Sequence, residues 1–67
     1  MGVSYKKLFK LLIDRNMKKK DLRIAAGLSP ASVSKLAKDE YVSMEVLVKV
    51  CHALRVDVGD SMEVSND

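Results

Sequence analysis

Short polar side chains and two lysines occupy one face of a predicted helix that begins at Pro30. Val33 and Leu36 are spaced three residues apart, so both point toward the same side, which we assign to a core. The outward face carries hydroxyls, a methyl group and two ammonium groups, and no carboxylate occurs before Asp39. Such groups can contact phosphates and base edges in a nucleic-acid groove. The residues of this face are Ala31, Ser32, Ser34, Lys35 and Lys38.

A second cationic group, Lys18 to Lys20, stands at the predicted start of the preceding helix. Cations at a helix N-terminus oppose the macrodipole by about 0.3 to 1 kcal/mol each. Asp21 offsets only part of that cost. The arrangement becomes favourable when a phosphate arrives, because backbone amides and ammonium groups then converge on it. The simpler alternative is that these lysines only keep a small protein in solution.

The residues between these two groups predict a helix-turn-helix. Gly27 ends an apolar helical run at a position where positive φ is common, and Leu28 can then fold back onto Leu22. The Ser29 hydroxyl can cap the next helix, and Pro30 suits the first helical position because its missing N–H costs nothing there. The sequence therefore places two helices around one tight turn.

Charge is distributed unevenly along the 67 residues, although the formal net charge is only +3. Residues 1–38 carry ten Lys or Arg and two Asp, a balance of +8. Residues 39–67 carry two Lys or Arg and seven Asp or Glu, a balance of −5. A basic region on one part of a small domain is typical of nucleic-acid binding, because neutralising phosphate supplies sequence-independent affinity.

Apolar periodicity predicts the helices that position these two groups. Ser4 is predicted to cap a first helix, whose buried face follows the i, i+3, i+4 spacing. That face comprises Tyr5, Leu8, Phe9, Leu12 and Ile13. The second helix is expected to span about 18–26, and the third, which carries the polar face, about 30–38.

Two further helices are predicted after a polar loop. Ser43 is expected to cap a fourth helix, with apolar positions at Met44, Leu47, Val50, Cys51 and Leu54. A brief fifth helix over 57–62 is capped by Asp57 and weakened by Gly59. No strand pattern is evident, and residues 63–67 are expected to form a frayed polar tail. The prediction is one all-α domain over 1–67, ordered over about 4–62.

The sequence lacks the residues that several other classes of function require. No nucleophile lies beside a base, and paired carboxylates and a phosphate-binding loop are missing, so an enzyme is not expected. The single cysteine, Cys51, excludes an internal disulfide, and His52 has no second ligand in reach, so we expect no metal and no cofactor. No apolar run approaches the roughly 20 residues that span a bilayer. The lysine-rich N-terminus does not resemble a secretory signal, and a cytoplasmic location is expected.

The chain resembles the Cro and phage-repressor type of helix-turn-helix regulators, the XRE family, and in particular its small single-domain VanU-like members. The resemblance covers about Ser4 to Met62. The residues that carry it are Leu22, Gly27, Leu28, Ser29, Val33, Leu36, Ser43, Leu47, Val50, Cys51 and Leu54. It implies a five-helix, lambda-repressor-like domain with the helix-turn-helix at helices 2 and 3. Two residues depart from the family pattern: Arg23 replaces a packed alanine, and Ser61 replaces a large aliphatic residue.

The resemblance also implies which residues contact DNA. The start of the second helix grips the DNA backbone, and the Arg23 guanidinium can reach a phosphate. On the third, recognition helix, Ala31 suits a thymine methyl group, Ser32 can donate or accept a hydrogen bond, and Lys35 can donate to guanine. The predicted DNA-binding residues are Lys18, Lys19, Arg23, Ser29, Ala31, Ser32, Ser34, Lys35 and Lys38.

The expected function is sequence-specific binding of double-stranded DNA by a transcriptional regulator, with the recognition helix in the major groove. We expect a homodimer on a near-palindromic site. The alternative is an antitoxin-like or protein-interaction module that keeps the fold and acts on another protein. Its surface would be Tyr41, Val42 and the acidic second half. The two functions differ in salt dependence, because phosphate contacts make DNA binding sensitive to salt.

Overall fold

The secondary structure consists of five helices and one two-stranded antiparallel sheet over residues 2–65, which a computed structural model describes. The helices are α1 (Lys6–Asp14), α2 (Lys19–Ala26), α3 (Pro30–Ala37), α4 (Met44–Leu54) and α5 (Val58–Ser61). The strands are β1 (Gly2–Ser4) and β2 (Glu63–Ser65). The predicted five-helix fold is confirmed, and the bounds of α2 and α3 lie within one residue of those expected. None of the described helices is both long enough and apolar enough to cross a membrane.

The sheet corrects two predictions at the ends of the chain. Residues 63–65 pair with β1, Val64 opposite Val3, whereas the sequence predicted fraying from Glu63 onward. The last two predicted tail residues, 66 and 67, lie outside the described range. Ser4 belongs to β1 and is not the N-cap residue of α1, which is Tyr5, although the Ser4 hydroxyl accepts from the Lys6 amide at 3.4 Å. Three-residue strands show no detectable periodicity, and their pairing depends on residues at the other end of the chain.

Four of the described helices end in the same pattern of backbone hydrogen bonds. In each, one residue adopts the left-handed conformation, with φ between 55° and 66°. The next amide donates to a carbonyl five residues earlier, which is the Schellman motif. The left-handed residues are Asn16, Gly27, Asp39 and Arg55. Only Gly27 was predicted, because glycine adopts this conformation without a steric cost, whereas asparagine and aspartate adopt it only occasionally and arginine rarely.

The core is built from one face of each of the first four helices and from the turn after α2. Its buried apolar residues are Tyr5, Leu8, Leu12, Leu22, Ala26, Leu28, Val33, Leu36, Leu47, Val50 and Leu54. Two predicted core residues were wrong, since Ile13 is 73% exposed and Met44 is 64% exposed. Each stands at an end of its helix, where the apolar periodicity continues beyond the packed neighbours. Phe9 and Cys51 lie half-buried at the edge of the core.

The short helix α5 packs onto α1 and α4 through a small polar residue. Ser61 is 1% exposed, and its hydroxyl donates to the Val58 carbonyl at 3.1 Å. Its oxygen also lies 3.8 Å from Cys51 Sγ on α4. At the start of the helix, the Asp57 amide donates to Asp60 Oδ2 at 3.1 Å. The hydroxyl is therefore satisfied inside the fold, and α5 docks without the large aliphatic residue typical of the family.

Candidate nucleic-acid interface

The turn between α2 and α3 has the predicted geometry. Gly27 adopts φ 66° and ψ 38°, and the Leu28 amide donates to the Arg23 carbonyl at 2.9 Å. Leu28 is buried, as expected for the residue that follows a Schellman glycine. Ser29 Oγ accepts from the Ser32 amide at 3.2 Å, so the predicted cap of α3 is confirmed. These local bonds fix how α3 leaves α2.

An exposed strip runs along α3 on the side opposite its buried residues. Val33 and Leu36 are buried and therefore define the inner face. On an α-helix, residues three and four apart are neighbours on one surface. The outer strip follows this spacing, and all its members are exposed: Ala31, Ser34, Lys35 and Lys38. The strip combines short side chains with two cations, so a helix can approach a nucleic-acid groove closely along it.

Ser32 lies at the edge of this strip and is only half-buried. Its hydroxyl oxygen is 3.1 Å from Ser29 Oγ, so the two hydroxyls share a hydrogen bond. A hydroxyl can donate once and accept twice, and Ser32 keeps part of that capacity for a ligand. The structure therefore couples these two serines at the start of α3.

The start of α2 is capped in a way that leaves its lysine side chains exposed. The Lys18 amide donates to Asp21 Oδ2 at 2.8 Å, while the Lys18 side chain makes no capping bond. Lys19 Nζ lies 5.8 Å from the centre of the Phe9 ring, near the outer limit of a cation–π contact. Arg23 is half-buried on the same helix, which fits an aliphatic stem lying along the surface. Asp21 therefore satisfies the Lys18 amide and leaves the lysine side chains exposed.

The cations of both groups take no part in the ion pairs formed within residues 2–65. Those pairs join Lys7 to Glu63 at 4.0 Å and Lys49 to Glu45 at 3.3 Å, and both lie on other elements. The positive charge of α2 and α3 is therefore available to an external anion. In the same part of the chain, no three His, Cys, Asp or Glu side chains are grouped so as to hold a metal ion.

Two side chains behind the end of α3 were not predicted as part of the site. Asp39 Oδ1 accepts from the Tyr5 amide at 2.9 Å, and the Tyr5 hydroxyl donates to the Glu40 carbonyl at 2.9 Å. Burial raises the pKa of the Tyr5 phenol, the Asp39 charge raises it further, and a backbone hydrogen bond of Val42 opposes both. The available signal was Tyr5 itself, because a tyrosine in an apolar stripe needs a partner for its hydroxyl.

Comparison with known proteins agrees with this geometry. Residues 7–67 match a family model described as the Cro/C1-type HTH DNA-binding domain. The chain is also similar to the crystal structure of transcriptional regulator VanUg, Form II, with 50% sequence identity and a TM-score of 0.93. That similarity covers 98% of this chain and 88% of the other. No curated protein matches the chain.

Proposed function

The chain belongs to the Cro/C1-type helix-turn-helix DNA-binding family, and from this premise we propose that it is a transcriptional regulator that binds double-stranded DNA with α3 in the major groove. The observation that carries the proposal is the exposed strip of α3, because it is free of carboxylates and bears two cations outside any described ion pair. The 50% identity to a transcriptional regulator supports the regulatory role.

In this proposal, the two groups of residues have different tasks. Contacts to phosphate hold the protein on the duplex, whereas contacts to base edges specify the sequence. The phosphate contacts come from the start of α2, from the turn and from the end of α3: Lys18, Lys19, Arg23, Ser29 and Lys38. The base contacts come from the middle of the α3 strip and its edge: Ala31, Ser32, Ser34 and Lys35. Lys35 has the largest part in discrimination, because it can donate to guanine O6 or N7.

A single eight-residue recognition helix reads few base pairs, which supports binding as a homodimer to two half-sites. In such a complex, the two copies of α3 enter successive major grooves about one helical turn apart. The near-palindromic site then doubles both the base contacts and the phosphate contacts. Doubling the base contacts compensates for the small number of base-contacting side chains on each copy of α3.

Salt dependence tests the proposal. If about four phosphates are neutralised per subunit, the logarithm of affinity changes with the logarithm of salt concentration by about −0.9 per phosphate, or roughly −7 for a dimer. The measurement is a fluorescence-anisotropy titration of a duplex obtained by in vitro selection, at several salt concentrations. Absence of duplex binding at low salt would overturn the proposal. Tight binding of a protein partner with little salt dependence would favour the protein-interaction alternative.

Two lysine variants test the separate tasks. Lys19→Ala is expected to weaken binding to selected and random duplexes alike and to reduce the salt slope of the dimer by about 2, because each subunit loses one phosphate contact. Lys35→Ala is expected to cost about 1 to 3 kcal/mol on the selected site and to relax its sequence preference. Lys49→Ala is the control for charge, because Lys49 lies on α4 in an ion pair with Glu45. If Lys35→Ala weakened both duplexes equally, Lys35 would not read a base.

A further inference from the structure

The C-terminal end of α3 is tied to the N-terminal end of α1 by two hydrogen bonds, both of which Tyr5 donates. The Tyr5 amide donates to Asp39 Oδ1, and the Tyr5 hydroxyl donates to the Glu40 carbonyl, both at 2.9 Å. We call Tyr5, Asp39 and Glu40 the Tyr5 clamp. The ring of Tyr5 is 1% exposed, so the core holds one side of the clamp in place.

The start of α1 lacks an acidic side chain of its own, and Asp39 provides one from the other end of the Tyr5 clamp. The N-cap position of α1 makes no side-chain cap bond of its own, and the first turn contains no acidic residue. Asp39 accepts from the amide of the N-cap residue itself, and its negative charge lies at the positive end of the α1 dipole. Asp39 itself has φ 56°, a conformation that favours glycine. A glycine there would relieve the backbone and lose the carboxylate, so the aspartate serves the link to α1.

The Tyr5 clamp adjoins the end of α3 that carries Lys35 and Lys38. The Glu40 amide donates to the Lys35 carbonyl at 2.9 Å, and Lys38 immediately precedes Asp39. A tilt of this end of α3 would therefore move Lys35 and Lys38 relative to a bound duplex. Hydrogen bonds to base edges weaken steeply with poor geometry, whereas attraction to phosphate is long-range and tolerates displacement.

We propose that Tyr5 and Asp39 are positioning residues for sequence reading, which hold Lys35 in register with the base pairs without contacting DNA themselves. The inference rests on the proposed function of α3. In this proposal, the Tyr5 clamp determines the ratio of the affinity for a specific site to the affinity for random DNA. The absolute affinity for random DNA depends on charge and is set by the exposed lysines.

The first test compares two variants of Asp39 that carry the same charge. Asp39→Ala removes the acceptor for the Tyr5 amide, whereas Asp39→Asn keeps an oxygen at the same position. Affinities are measured for a duplex obtained by in vitro selection and for a random duplex of the same length. Asp39→Ala is expected to lower the ratio about threefold to tenfold, and Asp39→Asn to restore it within twofold. Because both variants lack the carboxylate charge, the difference between them does not come from charge; it reports the acceptor together with the better tolerance of asparagine for φ 56°.

Tyr5→Phe tests the other bond of the clamp without changing any charge. It keeps the ring in the core and is expected to lower the same ratio about threefold, with random-duplex affinity unchanged within twofold. The matched control is Tyr41→Phe, since Tyr41 is 70% exposed and its hydroxyl makes no hydrogen bond within residues 2–65. All affinities are measured well below the melting temperature of each variant, so that loss of folded protein cannot change the ratio.

The possible outcomes distinguish failure of the positioning role from failure of the proposed DNA binding. If the unchanged protein binds neither duplex, the proposed function fails and the clamp has no role in it. If it binds both and the ratio is equal in Asp39→Ala and Asp39→Asn, the positioning role is overturned while DNA binding stands. Should Tyr5→Phe fail to fold, the Asp39 pair still decides the question, because those substitutions leave the core side chains unchanged.

Discussion

The two turns that flank α3 end their preceding helices in the same way but are held in place by different means. The turn before α3 centres on Gly27, and its hydrogen bonds join residues no more than five apart. The turn after α3 centres on Asp39, whose carboxylate reaches an amide 34 residues away. The first turn is set by local residue types, whereas the second is set by tertiary contact. A recognition helix can therefore be fixed locally at one end and globally at the other.

The largest expected effect comes from a substitution in α3 itself, the helix that both turns flank. Leu36 is completely buried and belongs to the helix that both turns hold. Leu36→Ala is expected to lower the free energy of unfolding by about 2 to 5 kcal/mol, because it leaves a cavity behind α3. Urea unfolding followed by circular dichroism measures the change. A loss below about 1 kcal/mol would mean that α3 is held by its turns more than by its core contacts.

Gly27 tests the locally determined turn. A Cβ at Gly27 would meet no atom within 4 Å, so the cost of a side chain comes from φ alone. Gly27→Val is expected to destabilise the domain by about 1 to 3 kcal/mol, because a β-branched residue is poorly tolerated at positive φ. Gly27→Asn is expected to cost clearly less, since asparagine enters this region more readily. Equal thermal melting of the two variants would show that the turn is not limited by backbone conformation.

Glycine substitutions at Asp39 and Arg55 test the turn after α3, because Arg55 is a left-handed residue that lacks the bond to Tyr5. Arg55 and Asp39 share almost the same φ, 57° and 56°. Arg55→Gly is expected to stabilise the domain by about 0.5 to 1 kcal/mol, because it relieves a left-handed residue whose side chain is exposed. Asp39→Gly gains less relief, because aspartate tolerates this region better than arginine, and it loses the bond to Tyr5, worth about 0.5 to 1.5 kcal/mol, so it is expected to be neutral or destabilising. Matching gains in urea midpoint for both variants would argue against a contribution from that bond.

The smallest expected effect is a pH dependence at the Tyr5 clamp. The pKa of Tyr5 is raised above its ordinary value of 10.0, first by burial and then by the Asp39 charge. The folded state therefore keeps the phenol proton at pH values where the unfolded chain releases it. The contribution of Tyr5 is complete below pH 10 and is lost as the pH rises from there through the folded pKa. Wild-type stability should fall more steeply above pH 10 than that of Tyr5→Phe, as chemical unfolding at a series of pH values would show.

The same contrast explains which parts of the fold could be predicted. The turn before α3 depends on Gly27, Ser29 and Pro30, which act through their own backbone or the next turn of helix. Their residue types and order were therefore enough to predict it. The link between Tyr5 and Asp39 depends on how α1 crosses the end of α3, which no local pattern encodes. The exposure of Ile13 has the same origin, because periodicity shows which side of a helix is apolar and not how far its packing partners extend. The DNA-binding residues stay a prediction, supported by their place on and beside α2 and α3 and by the exposure of all of them except Arg23 and Ser32, which are half-buried.

The terminal sheet has a consequence for the order in which the domain assembles. Its register joins Gly2 to Ser65, so forming it closes a loop of almost the whole chain. Loop closure costs entropy that increases with loop length, whereas each helical turn closes over a few residues. The sheet is therefore expected to form late in folding and to open early, with fast amide hydrogen exchange in both strands. Because β1 ends at Ser4 and Tyr5 follows it directly, the late-forming sheet adjoins the Tyr5 clamp that orients α3. The helices form before the sheet, so the clamp lies at the boundary between the two stages.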